Sequence, residues 1–120
     1  MEIYRIPEAE LRFAEIVWKN APLRSPELVE LCARELGWKK STTYTVLRRL
    51  CEKGIFKNED ALVSVLVSRE EYGRLQGEQV ISRGFGGSLP KFLAAFINAG
   101  KLTPEQIAEI RAMIDAAEDK

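Results

Sequence analysis

Apolar positions recur at helical spacing three times in the first half of the chain and then change period. In "PEAELRFAEIVWKNAPL", Leu11, Ala14, Val17 and Trp18 form one stripe. Pro7 suits a first helical turn, Glu8 and Glu10 favour the positive end of the helix dipole, and "NAP" predicts a stop at Pro22. "SPELVELCARELG" predicts a second helix with Ser25 as N-cap and Pro26 behind it. Its face is Leu28, Leu31, Cys32, Glu35 and Leu36, no glutamate stands three residues after Ser25, and Gly37 is the stop. "KKSTTYTVLRRLCEKG" predicts a third helix that begins near Ser41 and stops at Gly54. Thr43, Val46, Leu47, Leu50 and Cys51 share its apolar side, and Ser41, Tyr44, Thr45, Arg48 and Glu52 share the other. Thr42 and Arg49 flank that polar side.

Beyond Gly54 the period shortens. "IFKN", the turn "EDA" and the β-branched "LVSVLVS" predict a hairpin. Three helices follow. "REEYGRLQGEQVISR" carries Tyr72, Leu75, Gln79 and Val80 near one stripe, "GFGG" interrupts, and "SLPKFLAAFINAG" is the most apolar segment. "TPEQIAEIRAMIDAAEDK" opens with Thr103 as N-cap, Pro104 behind it and Gln106 as the capping-box partner. The expected fold is mainly α with a small β-hairpin. Residues 1–69 form a winged helix-turn-helix and residues 70–120 a helical dimerisation domain.

The second segment is too short to close a core alone. Leu89, Phe92, Leu93, Phe96, Ile97, Ile107, Ile110 and Ile114 therefore need a partner surface, and a two-fold homodimer is the simplest source. The chain has 120 residues, 46% apolar and 30% charged, which is enough to bury one core and argues against disorder. Its apolar runs are too short to span a membrane, and "MEIYRIPEAE" has no signal-peptide features, so a cytoplasmic protein is expected.

Charge is more informative than composition. The total is zero, yet residues 38–57 hold six basic side chains against one acid, while residues 70–120 hold six against eight. Screening at ordinary salt limits electrostatic reach to about 10 Å, so local charge decides binding. The expected ligand is double-stranded DNA. In helix-turn-helix docking the N-terminal part of the third helix enters the major groove, where hydroxyls and threonine methyls meet base edges. Ser41, Thr42, Tyr44, Thr45 and Arg48 of the recognition helix, residues 40–53, are the candidate base readers. Lys39, Lys40, Arg49, Lys53 and Lys57 are assigned to phosphates.

Trp18 and Trp38 are expected in the core or at helix junctions, and Cys32 and Cys51 as buried thiols. With no histidine, no phosphate loop and no nucleophile motif, no enzyme activity, cofactor or metal is expected. The alternative reading is a winged helix used as a protein-interaction module without strong DNA binding, which the acidic "NED" at the hairpin tip favours.

The segments "AELRFAEIVWKNAPLRSPELVE", "ELGWKKSTTYTVLRRLCEKG" and "SLPKFLAAFINAGKLTPEQIAEI" resemble the penicillinase-repressor family, BlaI and MecI with the CopY branch. The resemblance runs over about residues 6–117. Its most specific part is T-V-L-R-R-L-x-E-K-G after a "GW" helix stop, and the C-terminal tail is shared as well. It implies a dimeric repressor that binds an inverted-repeat operator. It also implies control of a β-lactam or cell-wall stress response through a membrane sensor metalloprotease system. Cleavage in the fifth helix would fall between Ala95 and Phe96, where the best-known members have Asn before the Phe. The ending "DAAEDK" has no cysteine pairs, which does not fit copper sensing. Glu59 and Asp60 stand where the family's wing tip is often basic, and Ser41 where a lysine is frequent.

Overall fold

The computed structural model describes residues 5–119. Met1 to Tyr4, part of the stretch lacking signal-peptide features, and Lys120 lie outside it. The order is α1 (Glu8–Asn20), β1 (Leu23–Arg24), α2 (Ser25–Leu36), α3 (Lys40–Glu52), β2 (Phe56–Glu59), β3 (Leu62–Val65), α4 (Arg69–Phe85), α5 (Leu89–Asn98) and α6 (Pro104–Glu118). The fold class matches the sequence reading: mainly helical with a small antiparallel sheet. Contacts divide the chain into Met1–Gln76 and Gly77–Lys120, so α4 begins in one unit and ends in the other.

In the first unit, α1, α2 and α3 close on Phe13, Val17, Leu28, Leu47, Leu50, Phe56 and Val63, all fully or almost fully buried. The buried face of α1 is Phe13, Ala14, Ile16 and Val17, whereas Leu11 and Trp18 pack at its rim. The expected stripe was thus one flank of a wider face. Trp38 stacks on Phe13 at 5.7 Å, and the Trp18 indole N–H donates to the Val67 carbonyl at 2.9 Å. Both tryptophans are junction residues, as their size predicts.

The sheet order is β1-β3-β2. Its third strand, β1, is two residues long and has no period of its own to read. Pairing of Glu59 with Leu62 leaves a two-residue turn, Asp60–Ala61, with φ of 52° and 63°. Two successive left-handed residues match the right-handed twist of a tight hairpin. The hairpin therefore begins at Phe56 and its turn is shorter than "EDA" suggests. β3 ends at Val65 because Leu66 and Val67 both donate to the Ile55 carbonyl.

One helix start differs from expectation. Ser25 is the first residue of α2, not its cap; Arg24 holds the cap position in extended conformation. That shift makes Glu27 the third helical residue, and its carboxylate accepts from the Arg24 backbone N–H at 3.3 Å. α3 starts at Lys40, where the recognition helix is expected to begin, with Lys39 at the cap.

In the second unit, Ser88 caps α5 by accepting from the Lys91 N–H. Thr103 and Gln106 close the expected reciprocal box on α6. Phe92 packs edge-on to Phe85 at 5.2 Å and tilted on Phe96 at 4.8 Å. No residue of α5 or α6 is buried. Among the described residues no helix is long and apolar enough to cross a membrane.

Candidate nucleic-acid interface

The third helix buries Thr43, Val46, Leu47 and Leu50, spaced so that they point the same way into the first unit's core. The opposite edge is left outside: Lys40, Ser41, Thr42, Thr45, Arg48 and Glu52 are exposed. Lys39 is exposed just ahead of the helix, and Lys53 is half-buried just behind it. The expected grouping of hydroxyls and cations on one surface is therefore present, and Glu52 shares it.

The two flanks of that edge are tied down. On one flank the Arg49 guanidinium pairs with the Glu10 carboxylate of α1. The Arg49 side chain is half exposed (47%), whereas that of Glu10 is nearly enclosed (11%), and Glu10 Oε1 has no hydrogen-bond partner. The pair holds α3 to α1 and leaves about half of the Arg49 side chain outside. On the other flank the half-buried Tyr44 hydroxyl donates to the buried Ser25 Oγ at 3.2 Å. Its phenol is committed to α2, and the ring lines a groove of about 350 Å³ with Leu47, Arg48, Cys51 and Asn58.

Neither tie is visible in the sequence. Glu10 did carry a signal: it stands one turn before Phe13 and Ala14, in line with apolar positions, where an acid needs a partner. Ser25 carried none, since its capping chemistry disguised its use.

The wing is anchored to the same corner. The Ser25 N–H donates to the Ala61 carbonyl at 2.8 Å, and the Arg24 guanidinium donates to the Asp60 carbonyl at 3.0 Å. Lys57 pairs with Glu59 at 2.6 Å on the open surface. Exposed pairs of this kind contribute about 0–1 kcal/mol.

The cysteines are free. Burial pushes the Cys32 thiol up to about 11, with a Thr43 hydrogen bond opposing and Glu35 adding to the rise. Burial also raises Cys51, which is half-buried in the groove, against a backbone hydrogen bond from Asn58. Both thiols therefore stay protonated at neutral pH, which makes them poor nucleophiles. No group of histidine, cysteine and acidic residues suited to a metal occurs among the described residues.

Of the apolar positions assigned to a partner surface, Leu89, Phe96, Ile97 and Ile114 are exposed, and Phe92, Leu93, Ile107 and Ile110 are half-buried. Ala95 and Phe96 are exposed within the continuous helix α5.

A family model described as the penicillinase repressor matches residues 6–116. The chain is 23% identical to the penicillinase repressor of Bacillus licheniformis over 118 residues, 95% of this chain and 92% of that protein. It is 22% identical to the methicillin resistance regulatory protein MecI of Staphylococcus aureus over 116 residues, 93% of this chain and 94% of that protein. Among solved structures, the solution structure of the monomeric form of B. licheniformis BlaI with the blaP half-operator superposes with a TM-score of 0.50. It shares 24% identity and covers 59% of this chain and 92% of that one. That likeness is one of fold.

Proposed function

Because this chain belongs to the penicillinase repressor family, we propose that it is a cytoplasmic, dimeric transcriptional repressor that binds an inverted-repeat operator through α3. The observation that carries the reading is the free hydroxyl-and-cation edge of α3, fixed between two flanking ties. Ser41, Thr42, Thr45 and Arg48 face base edges, and Tyr44 reaches the groove with its ring while its hydroxyl holds α2. Lys39, Lys40, Lys53 and Lys57 hold phosphates, and Arg49 adds its outward N–H groups to them. A threonine methyl against a thymine methyl, and an arginine against guanine, are the contacts these side chains make best.

The dimer forms through the apolar side chains of α5 and α6 and sets the spacing of the two half-sites. A β-lactam or cell-wall stress signal would release the repressor through a membrane sensor metalloprotease that cuts near Ala95–Phe96. A protease takes an extended strand, and this bond lies mid-helix, so cutting requires α5 to unwind locally first.

The test is duplex binding as a function of salt. If a dimer neutralises about 8 phosphates, log K falls with log salt at a slope of about −7. Arg48→Ala and Thr45→Ala are each expected to weaken an enriched specific site by about 1–3 kcal/mol, more than they weaken random duplex. Equal weakening on both duplexes overturns the base-reading assignment. A gel shift with no duplex binding at moderate salt would favour the second reading, a protein-interaction module, for which the acidic Glu59 and Asp60 speak.

A further inference from the structure

The outer face of the wing carries Arg24, Lys57, Glu59, Leu62 and Ser64. Cross-strand partners share a face of the sheet, and the register pairs Arg24 with Leu62, Glu59 with Leu62 and Lys57 with Ser64. The inner face holds Leu23, Phe56 and Val63 in the core. These outer residues, with Asp60, line an open hollow of about 410 Å³. The two cations on it are held differently. Lys57 is paired with the Glu59 carboxylate, which offsets its charge. Arg24 is held by the Asp60 carbonyl, which orients the side chain and leaves the charge in place. A guanidinium has five N–H donors, and this bond uses one of them.

Arg24 is also fixed in register with the reading edge. Its neighbour Ser25 accepts the Tyr44 hydroxyl of α3 and donates to the Ala61 carbonyl of the wing turn. One dipeptide therefore sets the distance between the wing and α3, and its arginine is exposed at that junction. We infer that Arg24 is a phosphate contact on the wing side of the DNA surface, adding a second cation beside Lys57, whose charge Glu59 offsets. The inference rests on the DNA-binding reading. The carboxylates of Glu27, Glu59 and Asp60 oppose it by lowering the local potential, so the contact is with a single phosphate along the backbone and not with a groove.

The experiment is the salt dependence of binding of the full chain to a 30-base-pair duplex of random sequence, repeated on a duplex enriched from that pool. Arg24→Gln keeps a donor for the Asp60 carbonyl and removes the charge. It is expected to make the slope shallower by about 0.9 per bound chain, with the same fold-loss on both duplexes. Arg24→Lys is expected to keep the slope. A wild-type chain that binds neither duplex overturns the DNA-binding reading itself. A wild-type chain that binds, with an unchanged slope in Arg24→Gln, overturns only the role of Arg24. Equal shallowing in Arg24→Gln and Arg24→Lys overturns it too, since it would make the forked geometry, and not the charge, what matters.

Discussion

The two units spend their apolar residues in opposite ways. In Met1–Gln76, Phe13, Val17, Leu28, Leu50, Phe56 and Val63 are fully buried. In Gly77–Lys120 the helices are just as regular and well capped, yet Leu89, Ile97, Met113 and Ile114 remain 52%, 52%, 62% and 51% exposed. Helix formation is thus satisfied in both, and core formation in one. Capping and propensity set where a helix starts and stops; burial sets whether it is stable in water. The first unit supplies its own burial, and the second awaits a surface from elsewhere, which is the physical ground for the proposed dimer.

Three measurements test that contrast. Phe13→Ala empties the centre of the first unit and removes the stacking partner of Trp38. It should cost about 4 kcal/mol by denaturant titration and leave association through the second unit intact. Ile97→Asp is expected to do the reverse. It should weaken dimerisation about a hundredfold in sedimentation equilibrium, while the first unit's cooperative unfolding stays where it was. If Ile97→Asp leaves the association state unchanged, the proposed surface is wrong.

The third concerns pH. A thiol raised to about 11 in the fold loses its proton less readily there than in the unfolded chain. Its stabilising effect is complete below about pH 9 and is lost as pH rises towards about 11, a loss on the order of 2 kcal/mol. Against a Cys32→Ala background this extra alkaline slope should vanish, while the unfolding of the second unit keeps the same pH profile in both.

Much of this was legible in the chain because periodic signals are local. Leu28 and Cys32 of α2, the apolar side of α3, the stops at Gly37 and Gly54, the Thr103–Gln106 box and the junction roles of Trp18 and Trp38 followed from spacing and residue size, whereas Glu35, expected on the same side of α2, is exposed. What escaped was non-local. β1 exists because Leu23 and Arg24 meet Val63 and Leu62, residues far along the chain. Ser25 looked like a cap because serine usually is one at such a position, yet its hydroxyl is taken by Tyr44, which only the packing of α2 on α3 reveals. Arg49 has the sequence surroundings of any surface cation, and only the fold sets Glu10 beside it. A sequence lists which side chains have charge or hydroxyls to offer; it does not say which of them the fold has already used.

The paired ties on α3 have a consequence for how such a protein changes over generations. Attachment depends on Tyr44, Arg49 and the buried side, whereas Ser41, Thr42, Thr45 and Arg48 take no part in it. Substitutions along that edge can therefore alter which sequence is preferred without loosening the helix that presents it. A new target becomes reachable one residue at a time, and an engineer redirecting the protein would vary those four positions and leave Glu10, Ser25, Tyr44 and Arg49 alone.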